Sequence, residues 1–310
     1  MIAVASGLDE DMSRFQAHAV QVRAPATSAN LGPGFDSLGL ALELYDEVEI
    51  RVAGAGLDLR VQGESAPAGA DNLVVSAARA AFQRMGVGQP GLSLTCTNRI
   101  PHGRGMGSSA AAIVAGVSAA RALTVNASMS DADVFGLAAE LEGHPDNVAA
   151  CMAGGLTVAW GDDDGLNRLV RLEPDASLRP LAVIPEEKLS TEQARGLLPA
   201  HVTHRDAAVN AGRAALLVAA LTGRTDLLVE ATEDRLHQPY RAGAMPRTAE
   251  LLEKLRAAGL PAVISGAGPT VLVLATAETA GSMDKEMGAD WHVHQLRVDR
   301  AGARVQEMTP

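Results

Sequence analysis

Residues 103–109, GRGMGSS, place three glycines and two serines where a run of small apolar residues begins. A helix starting at Ser108 would present unpaired backbone N–H groups and a partial positive charge, which suit an anion. Gly103, Gly105 and Gly107 would let the backbone approach a ligand closely. The stretch lacks the lysine of a Walker motif and the last glycine of a dinucleotide fingerprint. It predicts a phosphate-binding loop, with a glycine-rich turn and an ordinary serine cap as the alternative.

Polar residues are also dense in two other stretches, residues 24–39 (APATSANLGPGFDSLG) and residues 142–148 (EGHPDNV). In the second stretch, Glu142, His144 and Asn147 lie at the end of a predicted helix, where such groups suit ligand binding and proton transfer. A simple helix end would explain the glycine and the proline of this stretch. It gives no reason for those three side chains, so both stretches predict parts of a binding site.

The composition narrows the class of protein. The chain has 310 residues, 47% of them hydrophobic, and a formal net charge of −11. This charge argues against non-specific binding to nucleic acid or to an anionic membrane, so any anion must be held by a local pocket. The longest apolar run is too short to span a membrane, and the first residues turn acidic where a secretory signal would stay apolar. We therefore expect a soluble cytoplasmic protein.

Interleaved strand-like and helix-like patterns predict an α+β fold. Strands are expected at residues 20–24, 47–52, 57–61, 92–97, 156–160, 181–184, 262–264, 271–275 and 292–298. Helices are expected at residues 71–85, 108–123, 130–142, 205–221, 226–235 and 247–258, and after residue 275. The turn at 53–56 predicts a hairpin between its two flanking strands. The polar turn at 161–165 predicts a boundary between a domain of residues 1–165 and one of residues 166–310.

The polar motifs together resemble those of the GHMP kinases, the superfamily of galactokinase, homoserine kinase, mevalonate kinase and phosphomevalonate kinase. Residues 25–39 resemble the first motif of the homoserine kinases in particular, because Ala and Thr follow the proline where other members have Lys or Arg. Residues 104–111 resemble the superfamily's phosphate loop, and residues 265–274 (SGAGPTVLVL) its third motif. Weaker similarities are STEQAR at 190–195 and QPYR at 238–241.

The resemblance implies a two-domain GHMP kinase fold with the active site between the domains. The N-terminal, ATP-binding domain would be similar to domain 2 of ribosomal protein S5, and the C-terminal domain would be ferredoxin-like. The implied reaction is transfer of the γ-phosphoryl group of ATP to the hydroxyl of L-homoserine, with Mg²⁺, in threonine biosynthesis. Two alternatives stay open: a GHMP kinase acting on mevalonate, a sugar or a cytidyl-linked polyol, and a catalytically silent binding or regulatory protein.

ATP and Mg²⁺ are assigned by the resemblance to the phosphate loop and its surroundings. The implied ATP-binding residues are Pro101, His102, Gly103, Arg104, Gly105, Met106, Gly107, Ser108, Ser109, Ala110 and Ala111. The Ser109 hydroxyl and the Glu142 carboxylate would bind Mg²⁺, which prefers oxygen ligands.

L-Homoserine is a zwitterion, so its site needs a partner for the carboxylate and another for the ammonium group. The implied substrate-binding residues are Asp36, His144, Thr191, Arg195, Arg241 and Gly268. Arg195 and Arg241 would bind the carboxylate, for which the guanidinium fork is suited. Asp36 would bind the ammonium group, with a hydrogen bond from His144.

Three further residues are assigned to the chemical step. Asn30 and Asn147 would orient the substrate hydroxyl. Asp146 is the candidate general base, with helix capping as its alternative role. Without a base, the proton would pass to the γ-phosphate, since a loose transition state needs little activation of the nucleophile. The helix expected at 205–221 is apolar on one side and fits either a core position or the face of a homodimer.

Overall fold

The structure, a computed structural model, describes residues 13–16, 18–276 and 291–308. Its strands are β1 (Ala19–Ala29), β2 (Leu38–Ala53), β3 (Leu57–Gly63), β4 (Gly91–Asn98), β5 (Leu156–Gly161), β6 (Asn167–Leu172), β7 (Leu181–Ile184), β8 (Ala262–Ile264), β9 (Val271–Val273), β10 (His292–Gln295) and β11 (Arg304–Met308). Its α-helices are α1 (Leu73–Arg84), α2 (Ser108–Leu123), α3 (Asp131–Glu142), α4 (Asp146–Ala153), α5 (Thr191–Gly196), α6 (His204–Leu221), α7 (Leu228–Ala231), α8 (Gln238–Arg241) and α9 (Pro246–Ala257).

The larger sheet has seven strands in the order β11-β1-β2-β4-β3, and β5 pairs with both β2 and β6. The expected strands of this sheet are present, but the hairpin predicted at residues 53–56 is wrong. Strand β4 lies between the two strands that this turn joins, and it pairs antiparallel with β2 and parallel with β3. Alternation of apolar and polar residues specifies which face of a strand is buried, but not which strand lies beside it.

The smaller sheet has the order β10-β7-β9-β8 and is antiparallel throughout. Helix α9 packs on it through Leu251 and Leu255, which share a buried cluster with Val271 and Val273. The two sheets with their helices confirm the α+β, two-domain architecture. The boundary at residue 165 stays a prediction, and two strands beyond it, β6 and β11, pair with strands of the larger sheet.

Helix α2 begins and ends at the predicted residues and is buried on nearly all sides. Its small residues permit this, because a side chain at Gly116 would collide with the backbone oxygen of Val74 in α1. Close packing of a helix in a dense core leaves its position little freedom. The N-terminus of α2, which carries the phosphate loop, is therefore held rigidly.

The helix expected over residues 226–235 is shorter in the structure, where α7 ends at Ala231. The Asp234 carboxylate accepts hydrogen bonds from the backbone N–H groups of Leu236, His237 and Gln238, at 2.9, 3.2 and 2.7 Å. This aspartate competes for backbone donors and starts a new helix, α8, instead of continuing the old one. The helix expected after residue 275 lies outside the described residues.

In the part of the chain that the structure describes, no helix combines the length and the apolar character needed to cross a membrane.

Candidate active site

Three motifs meet at the N-terminus of α2: the first motif (residues 25–39), the phosphate loop (residues 104–111) and the third motif (residues 265–274). The backbone N–H of Thr27 donates to the oxygen of Met106 at 3.0 Å. Gly107 has a φ of +71°, and a side chain there would collide with the Thr27 hydroxyl and lie 3.1 Å from Asn147 Oδ1. A side chain at Gly105 would collide with the backbone oxygen of Ser265. Glycine is therefore required at both positions, because the loop is pressed between the first and third motifs.

Ser109 and Glu142 form an oxygen pair at one side of this loop. The Ser109 hydroxyl, in the first turn of α2, donates to Glu142 Oε1 at 2.6 Å. Glu142 is the last residue of α3, so the junction of two helices holds the pair. Burial raises the pKa of the Glu142 carboxyl, and the bond from Ser109 partly offsets this effect. A hydroxyl and a carboxylate are the hard oxygen donors that Mg²⁺ prefers.

His144 lies in the turn between α3 and α4, and Asp146 and Asn147 are the first two residues of α4. His144 Nδ1 lies 3.1 Å from Asp146 Oδ1, and this hydrogen bond raises the pKa of His144. The same oxygen of Asp146 accepts the backbone N–H of Asn147 at 2.7 Å, so the carboxylate does bind a free donor of the first turn of α4. Asn147 Oδ1 accepts a hydrogen bond from the Thr27 hydroxyl at 2.7 Å. Asp146 thus binds a backbone donor at the start of α4 and borders the cavity, and its role as general base stays a prediction.

Asn30 joins the first motif to the third. Its φ is +67°, a conformation that asparagine tolerates better than most residues. Its amide nitrogen donates to the oxygen of Gly266 at 2.9 Å, and its amide oxygen accepts the N–H of Asp36 at 2.9 Å. These bonds give Asn30 a structural task, and its role toward the substrate hydroxyl stays a prediction.

Asp36 and Arg195, predicted to bind opposite ends of the substrate, are paired with each other. Arg195 Nη1 and Nη2 donate to the two carboxylate oxygens of Asp36 at 3.1 and 2.6 Å. Each side chain is 38% exposed, so the pair faces the cavity. The Asp36 contact raises the pKa of Arg195, which keeps its charge.

Arg241 is the most deeply buried arginine of the site, with 1% of its surface exposed. Its Nε donates to the oxygen of Ala194 at 3.3 Å, and its Nη1 donates to the oxygen of Gly266 at 3.3 Å and to His237 Nδ1 at 3.0 Å. Among the described residues, no carboxylate lies within 4.0 Å of this guanidinium and Nη2 has no hydrogen-bond acceptor. Burial lowers the pKa of Arg241, as expected for a charge without a direct counter-ion.

His237 is a component of the site that the sequence analysis missed. Its Nε2 lies 2.8 Å from the oxygen of Gly32, which can only accept, so this nitrogen carries the proton and Nδ1 accepts from Arg241. Burial lowers the pKa of His237, which favours the neutral ring. The ring of Phe35 stacks on it, with centroids 5.1 Å apart. Its signal in the sequence is the spacing of four residues from Arg241, which places both on one side of a helical turn.

One cavity brings together most of the predicted residues: Asn30, Asp36, Gly103, Gly105, Met106, Gly107, Ser108, Ser109, Glu142, His144, Asp146, Asn147, Thr191, Arg195, Arg241 and Gly268. Ser108 and Ser109 also border a neighbouring cavity of about 230 Å³, which is lined by His102, Asn72 and Asn98 among others. As far as the described residues define these cavities, Pro101 lines neither.

The side chains of three residues predicted to bind ATP lie outside both cavities. Ala110 and Ala111 are fully buried in the core under the loop. The Arg104 side chain turns away from the loop, and its Nε and Nη2 donate to the oxygens of Pro185 and Glu186 at 2.8 and 2.9 Å. These three side chains are therefore not placed to contact phosphates, and only their backbone groups stay available for that role.

Comparison with known proteins agrees with this architecture. Residues 72–155 match the family "GHMP kinases N terminal domain", and residues 212–292 match "GHMP kinases C terminal". A mevalonate diphosphate decarboxylase from Staphylococcus aureus, 16% identical, has the same fold with a TM-score of 0.71. The chain therefore has the N- and C-terminal domains of the GHMP kinases.

Relatives with higher sequence identity show which family of GHMP kinases this chain belongs to. A homoserine kinase from Streptomyces coelicolor is 56% identical over 297 residues, covering 94% of this chain and 96% of that protein. One from Mycobacterium tuberculosis is 49% identical over 275 residues, covering 85% of this chain and 86% of that protein. The crystal structure of a homoserine kinase from Cytophaga hutchinsonii, 30% identical, has a TM-score of 0.82 and covers 94% of this chain and 99% of its own. The chain belongs to the homoserine kinase family.

Proposed function

We propose that this protein transfers the γ-phosphoryl group of ATP to the side-chain hydroxyl of L-homoserine, giving O-phospho-L-homoserine for threonine biosynthesis. The observation that carries the proposal is the buried guanidinium of Arg241, which opens onto the same cavity as the phosphate loop. Such a cation is suited to an anionic group of a substrate that lies beside ATP. A carboxylate is the group that distinguishes an amino-acid alcohol from most other small alcohols.

The phosphates of ATP would lie on the backbone N–H groups between Gly105 and Ser109, at the N-terminus of α2. Mg²⁺ would be held by Ser109 and Glu142 and would neutralise charge on the β- and γ-phosphates. The neighbouring cavity of about 230 Å³ would take the nucleoside, because Ser108 and Ser109 form the border between it and the main cavity.

The amino-acid end of homoserine would bind between two groups of residues. Its carboxylate would accept hydrogen bonds from Arg241 Nη2. The other terminal nitrogen, Nη1, already binds His237 and the oxygen of Gly266. Its ammonium group would bind Asp36, whose charge Arg195 already balances in part. The zwitterion and the ion pair would then alternate in sign, which stabilises all four charges without leaving one unmatched.

Removal of the hydroxyl proton has two possible acceptors. The Asp146 carboxylate borders the cavity, while one of its oxygens is engaged by His144 and the backbone N–H of Asn147. The γ-phosphate is the other acceptor. We infer that Asp146 mainly orients His144 and the first turn of α4, with the γ-phosphate taking the proton.

The alternatives are disfavoured by particular residues. Mevalonate, sugars and cytidyl-linked polyols have no α-ammonium group, so they would leave Asp36 bound to Arg195 alone, without a substrate contact. A catalytically silent protein would have no need for the Ser109–Glu142 oxygen pair beside an intact phosphate loop. A cytoplasmic location and a homodimer stay predictions. The apolar side of α6 is used within the protomer, since Leu217, Ala220 and Leu221 are buried in the larger core.

The decisive experiment is a measurement of ADP release from Mg-ATP with L-homoserine, D-homoserine, L-serine, L-threonine and mevalonate as acceptors. We expect turnover with L-homoserine far above the rest. Turnover only with mevalonate, which has a carboxylate but no ammonium group, would retain the phosphate loop and Arg241 and overturn the assignment of Asp36. No turnover with any acceptor, despite tight ATP binding, would favour a binding or regulatory protein.

A further inference from the structure

A second cavity, of about 520 Å³, lies where the two sheets meet, and it shares no lining residue with the candidate active site. Five arginines line it: Arg23 of β1, Arg179 before β7, Arg297 and Arg300 between β10 and β11, and Arg304 of β11. Its volume is within the range of small-molecule sites. So many cations around one cavity are unexpected in a chain with a net charge of −11.

The two carboxylates in the lining are already engaged. Glu43 Oε2 accepts a hydrogen bond from Arg297 Nε at 2.8 Å. Asp299 Oδ1 accepts the backbone N–H groups of Ala301 and Gly302 at 3.0 and 2.6 Å, and its Oδ2 accepts the Tyr45 hydroxyl at 2.8 Å. Glu43 therefore balances the charge of Arg297, and Asp299 adds one further negative charge, so five arginines face two carboxylates in the lining.

Three of the five arginines are without a direct counter-ion. Arg297 pairs with Glu43, and Arg300 pairs with Glu173, which is outside the lining. Within the described ranges, no carboxylate lies within 4.0 Å of the guanidinium groups of Arg23, Arg179 or Arg304. Arg179 Nη1 donates to the backbone oxygens of Ala176 and Leu178 at 2.8 and 2.7 Å. The cavity thus presents three guanidinium groups without a paired carboxylate, and this group is suited to phosphate oxygens.

The register of the sheet adds an independent observation. Arg23 of β1 lies directly opposite Arg304 of β11 in an antiparallel pair. Like charges in directly opposed positions destabilise a sheet. Arg23 is exposed, and its guanidinium lies 3.5 Å from the centre of the Tyr45 ring, at the border of the cavity. An anion bound between the two arginines would convert this repulsion into attraction.

We propose that the cavity binds a small polyanion that carries phosphate, such as a phosphate ester or a pyrophosphate, through Arg23, Arg179 and Arg304. This site is separate from the one that would bind ATP, and its ligand would bridge β1 and β11 of the larger sheet to the segment that leads into the smaller one. Binding would therefore stabilise the junction between the two sheets.

The test is isothermal titration calorimetry of the full chain with inorganic pyrophosphate. The protein is first saturated with Mg²⁺ and a non-hydrolysable ATP analogue, so that the phosphate loop is filled. We expect one further site, and a Kd weakened by about 10- to 100-fold in Arg304→Gln and in Arg23→Gln, the effect of losing one charge-assisted contact. Arg60→Gln is the matched control, because Arg60 is an exposed arginine of β3, at the opposite edge of the same sheet.

Three results would overturn the proposal: no heat beyond that of pyrophosphate titrated into the same Mg²⁺ and nucleotide solution without protein, equal weakening in Arg60→Gln, or citrate binding as tightly as pyrophosphate. Thermal unfolding is the second readout. Without ligand, the Tm of Arg304→Gln should be no lower than that of wild type, because a like-charge pair is removed. Pyrophosphate should raise the Tm of wild type and of Arg60→Gln only. The pyrophosphate affinities of Arg304→Gln and Arg60→Gln can be compared even if the chain binds no ATP. This proposal can therefore fail separately from the proposed function.

Discussion

Replacement of Arg241 by methionine removes a buried positive charge and the guanidinium group, while it keeps an unbranched side chain. In the structure, Nε and Nη1 of Arg241 are occupied by protein acceptors, and Nη2 opens onto the candidate active site. We therefore expect the variant to lose the contacts to the substrate carboxylate. Truncating one partner of a buried, hydrogen-bonded charge pair costs about 2–5 kcal/mol. This loss corresponds to about a 30- to 5,000-fold decrease in kcat/KM for L-homoserine.

The loss should be found in KM, not in kcat. The carboxylate is remote from the hydroxyl that reacts, so its contact with Arg241 is the same in the ground state and in the transition state. The lysine variant keeps the charge but lacks the planar fork, and we expect an intermediate decrease of about 10- to 150-fold. The KM for ATP should change little in both variants.

The assay is steady-state ADP release with L-homoserine and with 3-aminopropan-1-ol, which is homoserine without its carboxylate. We expect the 3-aminopropan-1-ol kinetics to be almost the same in wild type and variants. Thermal unfolding serves as the control, because the backbone oxygens of Ala194 and Gly266 and the ring of His237 each lose a donor. An unchanged KM for homoserine in a folded Arg241→Met protein, or an equal loss with the carboxylate-free substrate, would refute the reasoning.

Four further substitutions test the neighbouring groups. His237→Gln should raise the KM for homoserine and leave the KM for ATP unchanged, because His237 binds and positions Arg241. His294→Gln, at an exposed position, is the control, and an equal rise in the KM for homoserine in both variants would contradict the assignment. Glu142→Gln should raise the Mg²⁺ concentration for half-maximal rate and lower kcat, and an unchanged Mg²⁺ titration would count against a metal-binding role. Asp146→Asn should keep kcat within about tenfold of wild type, whereas a loss above about 10³-fold in a folded protein would make Asp146 the general base. Gly107→Ala should lower the Tm and raise the KM for ATP, because a methyl group would collide with Thr27; a Tm equal to that of wild type would show that the loop is not confined.

Local features of the fold could be predicted because neighbouring residues determine them. Ser130 caps α3 with a reciprocal bond to Asp133, and Gly143 ends the helix in the left-handed conformation, close to the limits of the helix expected at residues 130–142. The limits of α2 follow from a glycine-serine start and an apolar run. Capping and backbone freedom act over a few residues, so they can be recognised in a single stretch.

The pairing of strands could not be predicted in the same way. The turn at 53–56 has the form of a hairpin, yet β4 is inserted between its two strands from almost 40 residues further along the chain. The same holds for β11, which pairs with β1 from the other end of the chain. Pairing over such separations depends on the packing of the whole sheet, and strand alternation carries no information about it.

The sequence by itself determined the chemical components of the candidate site: a glycine-rich anion loop, a carboxylate beside a hydroxyl, and arginines for an anionic substrate. Only the tertiary structure decided how these components are paired. Asp36 and Arg195, 159 positions apart, form one ion pair, Arg104 binds the backbone at Pro185, and His237 supports Arg241. The physical reason is that residue type limits the bonds a side chain can make, whereas burial and distance, which arise only on folding, determine which bond is made and which donor stays free for a ligand.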